Sequence, residues 1–444
     1  MTSVTPHMKS WSLLAYTVAD DKGTGGAIDS AARKELEMIC EAADLERVSV
    51  AAQVDFKHSR GAFRGVISEV TSKAARVLDA DAKRYPLWQS IVDHLRRSTL
   101  SLDVDHTELD AASAGVLQAF MRFGRRACPA HRHMIYFYGH AYGPMGLFFD
   151  SAAKDRSAHT LRLNDLADAL ESSDDKAAVV LFRDCFMNTL ETAYQLKDVA
   201  DFMIASQSEA PIAGIWPWKK FLAELKPALA SDDIAGAVAK HLGAFLDEEV
   251  NRTPFVDVPI ALLDLRAAAG VTVPLTDLVD ALEAARGDAA CAQALEHARV
   301  GYPDAPSTAP GDPALIDVPT MCDNLQRVGV TAVANAARAL NAVVADRLVT
   351  WHHSQKKVYK GTSLYYKPVR ADDIKRSCIQ QEDAEAAATD AAAYKQLALN
   401  QATGWHRIAL HPLALPAAHT RKAPGRTAQT RTAQSHAVPD VGGS

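Results

Sequence analysis

A cysteine and a histidine carry the most chemically suggestive pattern in the chain. Cys185 follows an unbroken apolar run, Ala177 to Phe182, and precedes a helical pattern starting near Thr189. His140 ends a second run, Met134-Ile135-Tyr136-Phe137-Tyr138, and is flanked by Gly139 and Gly143. Short buried strands that end in reactive side chains suit an open α/β sheet, whose sites lie outside the carboxyl ends of its strands. A thiol between strand and helix would also have its thiolate favoured by the helix N-terminus. The two residues are 45 positions apart (185 − 140), and caspase-type thiol proteases place the histidine about 50 residues upstream of the cysteine. The chemistry would be acyl transfer. A thiolate attacks a peptide carbonyl, an imidazole protonates the leaving amine and backbone N–H groups stabilise the oxyanion.

The elements that would position this pair alternate between strand and helix. Ser12 to Val18 reads as a strand, and Asp20 to Gly26 as a plain glycine-rich loop without a P-loop ending or dinucleotide spacing. From Ile28, apolar residues at Ala32, Leu36, Ile39, Cys40 and Ala43 recur with helical spacing, which makes Cys40 a core residue. Val48 to Val54 is a second strand. Helices are predicted at Ile67 to Leu78, Leu87 to Leu100, Leu109 to Phe123 and Leu161 to Leu170, with a strand at Asp201 to Ser206. His131 and His133 share one face of their strand, but two ligands do not complete a metal site, so both read as surface histidines. Beyond Phe221 the pattern turns helical, at Ile234 to Val250, Leu275 to Ala285, Val333 to Leu348 and Ala384 to Trp405. Short apolar strands interrupt it at Pro259 to Leu263 and Leu364 to Tyr366. These patterns predict an α/β fold with a mostly parallel sheet. A core spans 8–225, a helix-rich region packed on it spans 226–412, and a basic, disordered tail spans 413–444.

Composition narrows the function. The 444 residues carry 48 Lys and Arg against 54 Asp and Glu, a net charge of −6, which points away from a dedicated nucleic-acid binder. No apolar run reaches membrane-spanning length, and the first twenty residues lack the organisation of a signal peptide, so a cytoplasmic protein is expected. Six cysteines, at 40, 128, 185, 291, 322 and 378, show no paired spacing, in keeping with a reducing compartment.

Several segments resemble the clostripain-like cysteine peptidases. Phe182-Arg183-Asp184-Cys185-Phe186-Met187, followed by Glu191, Ala193, Tyr194 and Leu196, is similar to that family's F-D-A-C-L-M nucleophile motif and its E-x-A-Y-E-L continuation. Tyr138 to Gly143 resembles its W-G-H-G histidine motif. The likeness extends in order over about residues 8 to 412. It takes in Trp11 to Asp21, Ala200 to Ser206, Gly361 to Tyr366 with Pro368, and Tyr394 to Ile408. The resemblance implies a caspase-like α/β/α sandwich, Cys185 as nucleophile, His140 as general acid and base, and an oxyanion hole from the backbone N–H groups of Cys185 and Ala141. The family usually has Gly where this chain has Ala141, which removes conformational freedom at that point.

The resemblance also sets expectations about specificity. Relatives that cleave after Arg or Lys carry an Asp two residues before the nucleophile, in the S1 pocket, whereas this chain has Arg183. A guanidinium there would repel a basic P1 side chain and favour Asp, Glu or a neutral residue. Alternatively, Arg183 turns away to pair with Asp184 or another acid and leaves Trp216 and Trp218 to form an apolar pocket. Members of the family can process themselves between His and Cys, here in Asp150 to His159. Some use calcium, but no contiguous calcium loop is present in the sequence and no metal ligands are assigned. The expected partner is a protein or peptide substrate inside the cell, with a bacterial gasdermin as one candidate. The competing function is an inactive scaffold of the same fold that binds protein partners.

Overall fold

The computed structural model describes residues 8–19, 27–43, 46–56, 62–66, 110–149, 160–171, 175–210, 216–226, 229–252, 258–300, 314–354, 359–367 and 384–414. The helices expected at 67–78 and 87–100, the loops at 20–26 and 150–159 and the tail beyond 414 lie outside these residues.

The longest apolar runs of the sequence become the middle of one eight-stranded sheet. Its strands are β1 (Lys9–Ala19), β2 (Val48–Phe56), β3 (Ala62–Val66), β4 (Ala130–Tyr138), β7 (Ala177–Arg183), β8 (Ala200–Ser206), β9 (Ile260–Asp264) and β11 (Val349–His353). Two small pairs lie outside it, β5 (Leu147–Phe149) with β6 (Thr160–Leu161) and β10 (Leu315–Asp317) with β12 (Ser363–Tyr365). The order is β11-β9-β8-β7-β4-β1-β2-β3, and the five strands from β8 to β2 run parallel. β3, β9 and β11 continue it through antiparallel pairings. All seven residues of β7 are buried, as expected of a parallel strand covered on both faces.

Side chains alternate along these strands and divide the core into two layers. Leu13, Ala15, Met134, Tyr136, Val179 and Leu181 face one layer, together with helices α1 (Ala27–Ala42), α5 (Trp218–Glu224) and α6 (Ser231–Arg252). Leu14, Tyr16, Ile135, Phe137, Val180 and Phe182 face the other. There they meet α2 (Ala114–Ala127), α3 (Leu163–Glu171), α4 (Leu190–Leu196), α7 (Thr272–Ala284), α8 (Ala289–Glu296), α9 (Val318–Leu325) and α10 (Thr331–Val343). Helices α11 (Ala384–Lys395) and α12 (Ala398–Thr403) close this side through Tyr394 and Leu399. The α/β/α architecture expected from the sequence is therefore present.

Some local expectations differ. His133 is only 3% exposed, and its Nδ1 lies 2.6 Å from Ser12 Oγ. It is an interior residue bonded to Ser12 on the neighbouring strand β1, while His131 at the start of the strand stays exposed. The strands expected at Pro259 to Leu263 and Leu364 to Tyr366 are β9 and β12, while β11 was not expected, and β9 and β11 extend the main sheet. The helix expected from Val333 to Leu348 ends in a wider π turn over Val344–Leu348 before entering β11. The final helical stretch breaks into α11 and α12. Among the described residues, no helix is long and apolar enough to cross a membrane.

Candidate active site

Parallel register brings the histidine and cysteine segments together. Tyr138 of β4 pairs with Arg183 of β7, so His140 and Cys185 each lie two residues beyond a matched pair, on strands about 4.8 Å apart. The loops are also in contact. Gly143 takes a positive φ of 59°, and a Cβ on it would lie 3.2 Å from the Phe186 carbonyl oxygen. A side chain there would push the histidine loop off the residue that follows Cys185.

The histidine loop is a small hairpin. Phe148 N donates to the His140 carbonyl at 2.7 Å, and Tyr142 N donates to the Gly146 carbonyl at 2.8 Å. These bonds frame an antiparallel bridge between Ala141 and Leu147, and in such a pair the N–H of Ala141 points away from its partner strand. The backbone at Ala141 is not in the positive-φ region occupied by Phe148 and Phe186, so Ala in place of the family's usual Gly is accommodated without strain. Gly139 is required by space, because a Cβ would come within 2.9 Å of the Phe148 ring and 3.1 Å of the Val18 carbonyl.

The turn after β7 carries the thiol. Phe186, with φ 59°, donates through its N–H to the Ser208 carbonyl, and Asn188 N donates to the Ser206 carbonyl. Asn188 Nδ2 donates to the Gly361 carbonyl at 2.8 Å. Helix α4 begins at Leu190, capped by Thr189, whose Oγ1 accepts from Thr192 N. The thiol thus stands five residues before the helix, not at its N-terminus as the sequence suggested. Cys185 Sγ accepts from Ala210 N at 3.4 Å and lies 3.8 Å from the Ala210 carbonyl to which it can donate. Burial pushes this thiol up to about 12, with Ala210 N–H opposing the shift and Asp184 and Glu209 adding to it. Asp184 is fully buried, and among the described residues neither carboxylate oxygen has a hydrogen-bond partner. Burial raises its pKa well above the carboxylate range.

Arg183 turns to the other layer and meets an acid that sequence reasoning had not singled out. Its Nη1 donates to Glu35 Oε2 in α1, and both side chains are buried. Glu35 Oε1 also accepts from Trp218 Nε1 at 2.5 Å and Tyr136 Oη at 3.2 Å. The guanidinium lies over the rings of Tyr138 and Trp216, 5.0 and 5.4 Å from their centroids. Burial works against its charge, but Glu35 more than offsets this and its pKa is raised. Trp216 is 6% exposed, and Trp218, 0% exposed, packs edge-on against Tyr136. The legible signal for Glu35 was its place on the apolar face of α1, three residues after Ala32 and four before Ile39, where a buried acid needs a cation.

A second missed group secures the thiol-bearing turn from the C-terminal side. Gln207 Nε2 donates to Asp317 Oδ2 and Ser363 Oγ, each at 3.0 Å, and its Oε1 accepts from Gly361 N at 3.0 Å. Among the described residues, no group of three or more His, Cys, Asp or Glu is gathered to hold a metal ion.

A family model described as the clostripain family matches residues 99–362, which span both the His140 and Cys185 segments and more than half of the chain. The chain belongs to the clostripain family. Cysteine peptidase activity is the chemistry of this family, and its substrates are proteins or peptides. The clostripain-family chain is similar in fold to a secreted C11 cysteine protease from Bacteroides thetaiotaomicron, solved with an irreversible peptide inhibitor. The TM-score is 0.57 at 14% identity, over 89% of this chain and 99% of that one. An inactive zymogen C11 protease from Parabacteroides distasonis is similar at TM-score 0.56 and 16% identity, over 90% of this chain and 99% of that one. No curated protein matches the chain.

Proposed function

We propose that the chain is an endopeptidase working through a Cys185–His140 dyad, without the basic P1 preference of its relatives. The observation that supports the reading is the β4–β7 register, in which Tyr138 pairs with Arg183 and His140 and Cys185 each follow two residues later at the carboxyl edge of the sheet. In the proposed cycle His140 takes the Cys185 proton and the thiolate attacks the scissile carbonyl. The N–H groups of Cys185 and Ala141 hold the oxyanion, and the imidazolium protonates the departing amine. Water activated by His140 then hydrolyses the thioester. Position 183 holds no acid that could pair with a basic P1 side chain, since Arg183 stands there buried against Glu35, which supports the loss of that preference. An intracellular protein substrate, with a bacterial gasdermin as one candidate, completes the proposal. Among the described residues, five cysteines are unpaired, four of them buried, which supports a reducing setting.

The test is hydrolysis of fluorogenic peptides by the purified chain and its variants. Cys185→Ala is expected to abolish turnover and covalent labelling by a peptidyl acyloxymethyl ketone. His140→Ala is expected to lower kcat by about 10²–10⁴. Labelling that persists in Cys185→Ala, or full turnover in His140→Ala, would overturn the dyad. A chain that binds peptides but neither cleaves nor reacts is the scaffold.

A further inference from the structure

The hairpin that starts at His140 closes through a tight turn, Gly143–Met145, and two contacts fix that turn from outside. At Gly143 it lies against the Phe186 carbonyl, in the turn that follows Cys185. At Met145 its carbonyl accepts from Arg162 Nη1 at 3.2 Å, and the same nitrogen donates to Asp390 Oδ1 at 3.0 Å. Arg162 stands between β6 and α3, whereas Asp390 lies on α11, 228 positions further along the chain. Because Phe148 N donates to the His140 carbonyl, a shift of the turn passes along the hairpin to the histidine.

Helix α11 also grips the cysteine side. Tyr394 is four residues after Asp390, on the same face of the helix, and its Oη donates to buried Glu191 Oε1 of α4 at 2.7 Å. Helix α4 starts five residues after Cys185. One helix face is therefore joined to the histidine loop through Asp390 and Arg162, and to the nucleophile's helix through Tyr394. The two joints differ in burial. Tyr394 and Glu191 are interior, but the Arg162 and Asp390 side chains are 32% and 26% exposed. A pair so exposed adds little to global stability, so its loss can move the loop without unfolding the chain. There is room for that movement. A cavity of about 190 Å³ is lined in part by Pro144, Met145, Arg162, Leu163, Tyr394 and Leu397.

We infer, on the peptidase reading of Cys185 and His140, that Arg162 is a positioning residue for the dyad: bridging the Met145 carbonyl to Asp390, it ties the histidine loop to α11 and so sets the reach of His140 toward Cys185. Arg162 does not touch the reacting atoms, and its effect passes through the imidazole. Without the bridge the turn relaxes toward the cavity and carries His140 away from the thiol. A displacement of about 1 Å in a reacting group lowers a rate by up to about 10²-fold.

The experiment is steady-state hydrolysis of one fluorogenic peptide by the full chain and its variants, with thermal melts alongside. Arg162→Ala should lower kcat roughly 10- to 100-fold, while KM stays within about twofold and the melting midpoint is kept. Arg162→Lys should recover most of the loss, because the bridge uses a single nitrogen and an ammonium offers its donors from one atom. In a His140→Ala background, Arg162→Ala should have no further effect on kcat, since the two act as one unit. Wild-type kcat in Arg162→Ala would overturn the inference. So would a loss that Arg162→Lys does not recover, or one that persists at full size in the His140→Ala background. Should Arg162→Ala fail to fold, Asp390→Asn decides, because it keeps the side chain's size and removes its charge. Its kcat should fall about threefold at unchanged KM, and wild-type kcat there would overturn the inference. A wild-type chain that neither cleaves the peptide nor is labelled at Cys185 by an acyloxymethyl ketone would instead remove the dyad reading, and the role of Arg162 with it.

Discussion

Burial favours the neutral thiol over the thiolate at Cys185. Its Sγ is closed over by the Ala210 backbone, and burial carries its pKa up to about 12. Because the thiolate is the reactive species, alkylation should be slow at neutral pH and accelerate about tenfold for each pH unit between 7 and 10. Iodoacetamide labelling of Cys185, followed by peptide mass spectrometry across that range, measures the slope. A rate already level below pH 8 would show a thiolate preformed in the resting chain. The neighbouring acid contributes in the same direction, since a negative charge on Asp184 opposes a second anion at the nucleophile. Phe186 matters at this scale too, because its left-handed backbone turns the chain sharply out of β7.

The strands that carry the pair are built to be buried, and β4 shows the cost of one polar exception. His133 sits beside Ser12 of β1, with Nδ1 at Ser12 Oγ. Burial lowers its pKa to about 4, with Arg125 adding to the shift and Asp175 opposing it. The folded chain therefore holds this imidazole neutral while the unfolded chain protonates near 6.5. Stability from this residue is fully present above about pH 6.5 and declines as pH falls toward 4, by about 3 kcal/mol in all. A His133→Asn chain should lose less stability between pH 7 and pH 4 than the wild type. Urea denaturation at the two pH values measures this; equal losses in the two proteins would remove His133 as the source.

At the scale of the molecule, the sheet does not end where the composition changes. β9 and β11 come from beyond residue 226 and cover the flank of β8. The C-terminal region also reaches the thiol-bearing turn directly. Gly361 receives Asn188 Nδ2 and donates to Gln207, while buried Glu191 of α4 accepts from Tyr365 N and Tyr394 Oη. A fragment of residues 1–225 would leave β8 with an unpaired edge and α4 without its buried partners. It should be insoluble or lack a cooperative thermal transition. A soluble 1–225 fragment that melts cooperatively and labels at Cys185 would show two independent folding units.

The amino-acid pattern alone was enough to determine the strands β1, β2, β4, β7, β8 and β9, the α/β class and the two segments that follow the paired strands β4 and β7. Those features depend on local periodicity and on motifs a few residues long. Glu35 beneath Arg183, Gln207 between Asp317 and Ser363, and the seal of Ala210 on Cys185 were decided only by tertiary structure. The Arg183 partner lies 148 positions away and the Ser363 partner of Gln207 156 positions away. No local periodicity relates residues so far apart. Buried charges and amides find whichever complement the packed layers bring within reach, as Arg183 finds Glu35.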